Sequence, residues 1–285
     1  FLCNAGSLVG YLAPITLTAI GISNMAPAGQ VPATVTYSFY IGAAVLVLCV
    51  IYSFATIREM PPAEYAAFHG ITESEKQESS SVFHLLRHAP ATFWTVGLVQ
   101  FFCWAAFMYM WTYTNGAIAS QVWDTTDPHS AAYQTAGNWV GVLFAVQACG
   151  SILWAMAIPF FKNHKVAYSF SLLLGAVGFI STCFITNQYV LFVSYLLIGC
   201  AWAAMLALPF TILTNSISGK NMGMYLGLFN GTICIPQICA AVLGGVLLKL
   251  VGGSQVGMLV LAGVLLAVGA CAVWIIKDTY AEKRV

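Results

Sequence analysis

Charge is what this chain has least of. Only 7% of its 285 residues are Asp, Glu, Lys or Arg, while 60% are hydrophobic; a soluble domain carries about a quarter charged. That balance excludes a water-soluble globule. The formal net charge is +1 and no basic patch is present, so nucleic acid has nothing to bind. Also missing are a nucleotide-binding loop, a helical pair of zinc-spaced histidines, and the intramembrane Asp pair that a membrane protease needs. The chain is therefore not read as an enzyme, and neither a cofactor nor a metal is expected. The nine cysteines, Cys3, Cys49, Cys103, Cys149, Cys183, Cys200, Cys234, Cys239 and Cys271, all fall in apolar stretches and read as small buried hydrophobes. His69, His84, His88, His129 and His164 lie in loops between those stretches and read as solvated.

What remains is apolar and long. Segments of about twenty apolar residues, enough to cross a bilayer, lie near 1–21, 35–57, 92–119, 138–161, 166–187, 189–214, 222–249 and 256–277. With the C-terminus cytoplasmic, alternation puts Arg58, Lys76, Arg87, Lys162, Lys165, Lys220, Lys277, Lys283 and Arg284 inside and only Lys249 outside, which satisfies the positive-inside rule. The expectation is an integral protein of the inner or plasma membrane, with its central loop and C-terminus in the cytoplasm. No Asp, Glu, Lys, Arg or His lies in the interior of any span. Such residues are the usual proton relays and ion-pair partners inside a membrane, and these spans offer none.

The longest polar stretch runs from about Arg58 to Pro90. Its middle, including Glu73, Glu75, Lys76 and Glu78, reads as a solvated linker. The segment Ser81-Val-Phe-His-Leu-Leu-Arg-His reads as a short amphipathic helix along the membrane. The chain starts with Phe1 inside an apolar run and is read as a fragment. Two spans, a loop and six spans become six, a loop and six if four spans stand in front.

Candidate site residues are the uncharged polar and aromatic groups inside the spans. In the third span, Gln100, Trp104, Trp111 and Asn115 step by 4, 7 and 4 and stay on one helical face. Amides hydrogen-bond hydroxyl groups, and indole faces cover the C–H side of a sugar ring. In the seventh span, Asn230 and Gln237 sit about 20° from eclipsed, and lipid cannot satisfy their amides. Pro236 beside them frees a carbonyl one turn back and is expected to break the span. Gly223, Gly227 and Gly231 form a ladder suited to close helix approach. In the sixth span, Trp202 and Pro209 share a face, and Pro209 is expected to kink the helix where Trp202 meets a cavity. Pro209, Pro236 and the three ladder glycines are thus candidates for gating. Asn138 opens the expected fourth span as a cap or a contact, with Gln147 on the opposite face.

Six spans, a cytoplasmic loop and six spans resembles the major facilitator superfamily. The motifs Leu208-Pro209-Phe210, Gly223-Met-Tyr-Leu-Gly-Leu-Phe-Asn230, Ile235-Pro236-Gln237, Val99-Gln100-Phe-Phe-Cys-Trp104, Met110-Trp-Thr-Tyr-Thr114 and Asn138-Trp-Val-Gly-Val-Leu-Phe144 resemble its glycoside–proton symporters, the sucrose and maltose carriers. The resemblance implies an all-α membrane fold with eight of twelve helices present. Residues 1–57 are then the last two helices of the first half, 58–91 the central loop, 92–277 the second half and 278–285 a cytoplasmic tail. It further implies a monomeric carrier of a neutral disaccharide, with protons bound on the absent helices and no bound cofactor. The alternatives are an exporter of apolar drugs or lipids on the same fold, and a non-transporting sensor or scaffold that acts through the linker.

Overall fold

The computed structural model of the chain describes residues 2–27, 30–58, 60–61, 64, 67–68, 82–217 and 222–276. Most of the linker, the 219–221 loop and the tail lie outside the described residues. With them go His69, Glu73, Glu75, Lys76, Glu78, Lys220, Lys277, Lys283 and Arg284, so the orientation stays an expectation.

Helices make up most of the described backbone: α1 (Leu2–Ala19), α2 (Ala33–Thr56), α3 (Val82–Arg87), α4 (Ala91–Val122), α5 (Ala131–Ala157), α6 (His164–Ser181), α7 (Leu191–Ser216), α8 (Met222–Phe229), α9 (Gly231–Leu250) and α10 (Gln255–Ala272). Taken with the short 3₁₀ turns that extend α5, α6 and α10, and with α8 and α9 as one crossing, they make eight apolar helices long enough to span a membrane among the described residues. Backbone groups in hydrocarbon must find partners inside their own segment, which leaves the helix as the only choice for such sequences.

Two expectations need correction. Asn138 neither opens nor caps the fourth span, because α5 begins at Ala131 and the cap is Ser130, whose side chain accepts from the Tyr133 N–H. A hydroxyl before the first turn satisfies one of the orphan donors there, and the apolar count alone misses that polar first turn. The break in the seventh span also falls earlier than Pro236. Helix α8 ends at Phe229, and the Asn230 carbonyl accepts from both Ile233 N–H (3.0 Å) and Cys234 N–H (3.1 Å) before α9 carries Pro236 in its interior. Around Pro209, by contrast, α7 runs unbroken from Leu191 to Ser216. The amphipathic segment forms α3; Leu85 is its buried residue, and the Leu85 carbonyl accepts from Tyr225 Oη (3.2 Å).

The core lies between α4, α6, α7 and α10, with α5 closing on α7. Small residues set the tightest crossings. A Cβ on Gly199 would sit 2.3 Å from the Gln147 carbonyl oxygen, and one on Gly150 2.6 Å from that of Leu196. Backbones this close give the van der Waals packing that joins helices where lipid supplies no hydrophobic drive. The α1–α2 hairpin stands apart from this body. Helix α2 packs on α1, and α1 packs on α5.

Candidate functional site

Four aromatic rings meet where α4 faces α7. Trp202 lies 5.7 Å from Trp104, 4.9 Å from Phe107 and 5.7 Å from Trp111 between ring centroids. Trp104 and Trp111 are 6.5 Å apart. Three of the sequence-derived candidates therefore form one cluster, in the tilted and edge-to-face geometries that aromatic pairs prefer. Trp111 is its most open member, 38% exposed. Phe107 is buried in the cluster and was not singled out from the sequence, although it lies one turn from both Trp104 and Trp111.

The indole N–H groups divide. Trp202 Nε1 donates to Asn4 Oδ1 (3.1 Å) on α1, and Asn4 Nδ2 in turn donates to Ser151 Oγ (2.6 Å) on α5. Trp104 Nε1 is buried and has no hydrogen-bond partner among the described residues. A buried donor without an acceptor is costly, and such a group is a natural place for a ligand oxygen. Asn115 Oδ1 is likewise buried and unpartnered, beside Gly137 of α5.

Gln100 is held differently. It is fully buried, its Nε2 donates to the Met205 carbonyl (3.4 Å) and its Oε1 accepts from Tyr168 Oη (3.4 Å). Met205 lies four residues before Pro209, so its carbonyl is the one the proline leaves without a helical donor. Gln100 replaces that donor. Both ends of its amide are committed to protein.

Asn230 is exposed and Gln237 half-exposed, at and beyond the α8–α9 break. Neither side chain has a hydrogen-bond partner among the described residues, and no hydrogen bond joins them to the tryptophans. The ladder glycines sit in open space: nothing approaches a Cβ at Gly223 or Gly227, and only Ile235 of the same helix reaches Gly231. The close contacts between α4 and this span fall at other glycines, with Gly97 against Thr232 and Gly244 against Tyr113. Asn138 lines a cavity of about 210 Å³ with Tyr11, Asn24, Gln134 and Gly137, while Gln147 is buried near the α5–α7 crossing.

The described helices thus form a bundle of membrane-spanning segments with an uncharged aromatic cluster between α4 and α7. The family model for the Major Facilitator Superfamily matches residues 110–285, and the chain belongs to that superfamily. It is thus a membrane transporter of the major facilitator type. No curated protein matches the chain.

Proposed function

We propose that the protein carries a small neutral glycoside, of the size of maltose or sucrose, by proton-coupled alternating access. The observation that carries this reading is the tryptophan cluster with its unpaired, buried Trp104 N–H. Indole faces cover the apolar side of a pyranose, and the free N–H is a donor for a ring or hydroxyl oxygen. The spans described hold no Asp, Glu, Lys, Arg or His in their interior, which suits an uncharged solute; an anionic one would want a Lys or Arg there. Trp104, Trp111, Trp202 and Asn115 form one wall in this reading. Asn230 and Gln237, beside Pro236 and the Gly223–Gly227–Gly231 ladder, contribute at a moving segment, and Gln100 with Pro209 supports the wall from behind. Protons bind outside these spans. The rocking of two helical units about the site exposes it to one side at a time.

Sugar binding to the purified full-length protein tests this without a transport assay. Tryptophan fluorescence is expected to change saturably on addition of maltose or sucrose and to lose that response in Trp104→Phe and Trp111→Phe. A response given only by apolar compounds would refute the glycoside and support the exporter.

A further inference from the structure

Helix α1 is apolar along nearly its whole length, yet its one buried residue is an amide. Asn4 is 4% exposed, while the remainder of α1 is exposed or half-buried. Lipid cannot satisfy an amide, so Asn4 turns inward and needs partners there. Two bonds supply them. Asn4 donates to Ser151 on α5 and accepts from Trp202 on α7, and these are the only side-chain hydrogen bonds between residues 2–56 and residues 82–276 among the described residues. The rest of that seam is packing, with the Tyr11 ring 5.4 Å from Phe144 and Gly141 closing on the Tyr11 carbonyl.

The anchor of the tie is rigid. Ser151 follows Gly150, and a Cβ on Gly199 would sit 2.7 Å from the Ser151 backbone nitrogen, so Asn4 grips α5 and α7 where their backbones are already in contact. One small side chain thus fixes three helices, and through Trp202 it fixes the ring at the centre of the aromatic cluster.

We infer that Asn4 is a positioning residue that interlocks the α1–α2 hairpin with the six-span body. It holds the Trp202 indole in place while α1 is docked and releases it when α1 moves. This rests on the alternating-access reading above. Opening the seam strips an amide, a hydroxyl and an indole N–H of their partners together. In an apolar surrounding that is unfavourable unless oxygens of water or of a hydroxyl-rich solute take over the bonds. The interlock therefore ties movement of α1 to the arrival of such oxygens.

Deuterium exchange on the full-length protein, with no sugar present, tests the interlock apart from the substrate assignment. Polar contacts of this kind in helical membrane proteins amount to a shift of roughly three- to twentyfold in an opening equilibrium. Asn4→Leu is expected to speed exchange by about that factor along residues 2–19 and the facing residues 141–154, leaving α6 and α10 unchanged. Trp202→Phe keeps an aromatic ring but removes the N–H together with the pyrrole half of the indole, so it should give part of the effect. The double variant should then exceed Asn4→Leu alone by little, because the two residues share one bond. Unchanged exchange in residues 2–19, or equal acceleration of α6 and α10, would overturn the interlock. If Asn4→Leu does not fold, Ser151→Ala and Trp202→Phe are read by the same criterion. Should the wild-type protein carry neither maltose nor sucrose, the glycoside reading fails while the exchange result still stands or falls alone.

Discussion

Replacing Gln100 by leucine removes the donor that stands in for the missing backbone N–H of Pro209. The change keeps roughly the same volume but leaves the Met205 carbonyl unsatisfied and deprives Tyr168 Oη of its oxygen acceptor. Tyr168 retains only a long contact of 3.8 Å to Cys103 Sγ. An orphaned buried polar group costs about 1–3 kcal/mol in general, but side-chain bonds in helical membrane proteins average about 0.6 kcal/mol. Both bonds of Gln100 are long, at 3.4 Å, so the low end applies and about 1–2 kcal/mol is expected for the pair. At roughly 2–3 °C per kcal/mol for a chain of this size, the melting temperature should fall by about 2–6 °C. Thermal unfolding of the purified protein, followed by intrinsic fluorescence, reads this directly. The decisive control is the same substitution in a Pro209→Ala background. There residue 209 regains an N–H for the Met205 carbonyl, and the cost of losing Gln100 should drop by about half or more. Equal losses in both backgrounds would refute the replacement of one donor by the other.

Three further outcomes are expected. Gly199→Ala puts a Cβ 2.3 Å from the Gln147 carbonyl and should lower the yield of folded protein, whereas Gly223→Ala and Gly227→Ala, in open space, should be neutral or stabilise by up to about 1 kcal/mol; melting temperatures separate the two groups. Trp104→Phe removes an N–H that has no hydrogen-bond partner among the described residues, together with part of a buried indole, so the melting temperature should fall by the cavity cost while the KM for sugar uptake rises on the order of tenfold, the worth of about one hydrogen bond; an unchanged KM would take Trp104 out of the site. Asn230→Ala and Gln237→Ala should cripple sugar uptake at normal expression, because neither amide supports the fold through a hydrogen bond among the described residues, and normal uptake in both would remove them from the site.

Much of the architecture was legible because the bilayer imposes a single strong constraint. Runs of about twenty apolar residues have one stable solution, and all eight expected spans correspond to helices. Their ends were less legible. A helix can continue past the apolar band wherever a cap satisfies its first N–H groups, as Ser130 does for α5. The step of seven residues from Trp104 to Trp111 placed both on one face, whereas the meeting of Trp202 with them follows from how α7 packs on α4, which no single segment encodes. The role of Gln100 was not readable. Its partner is a backbone carbonyl one turn before a proline on another helix, and no pattern along one chain segment encodes that pairing. Asn4 was missed for a similar reason: near the start of an apolar run, nothing local separates an isolated amide from a terminal polar residue. The Gly223–Gly227–Gly231 spacing shows the converse failure. Fourfold spacing permits close approach, but only a facing helix makes it, and the contacts with α4 fall on Gly97 and Gly244 instead.

Uptake of labelled maltose and sucrose by the full-length protein in proteoliposomes, with and without an imposed inward proton gradient, tests the central claim most directly. Accumulation above equilibrium that collapses with a protonophore is expected of a proton-coupled carrier for neutral disaccharides. Failure to take up either sugar, under conditions where the protein expels apolar dyes, would contradict it.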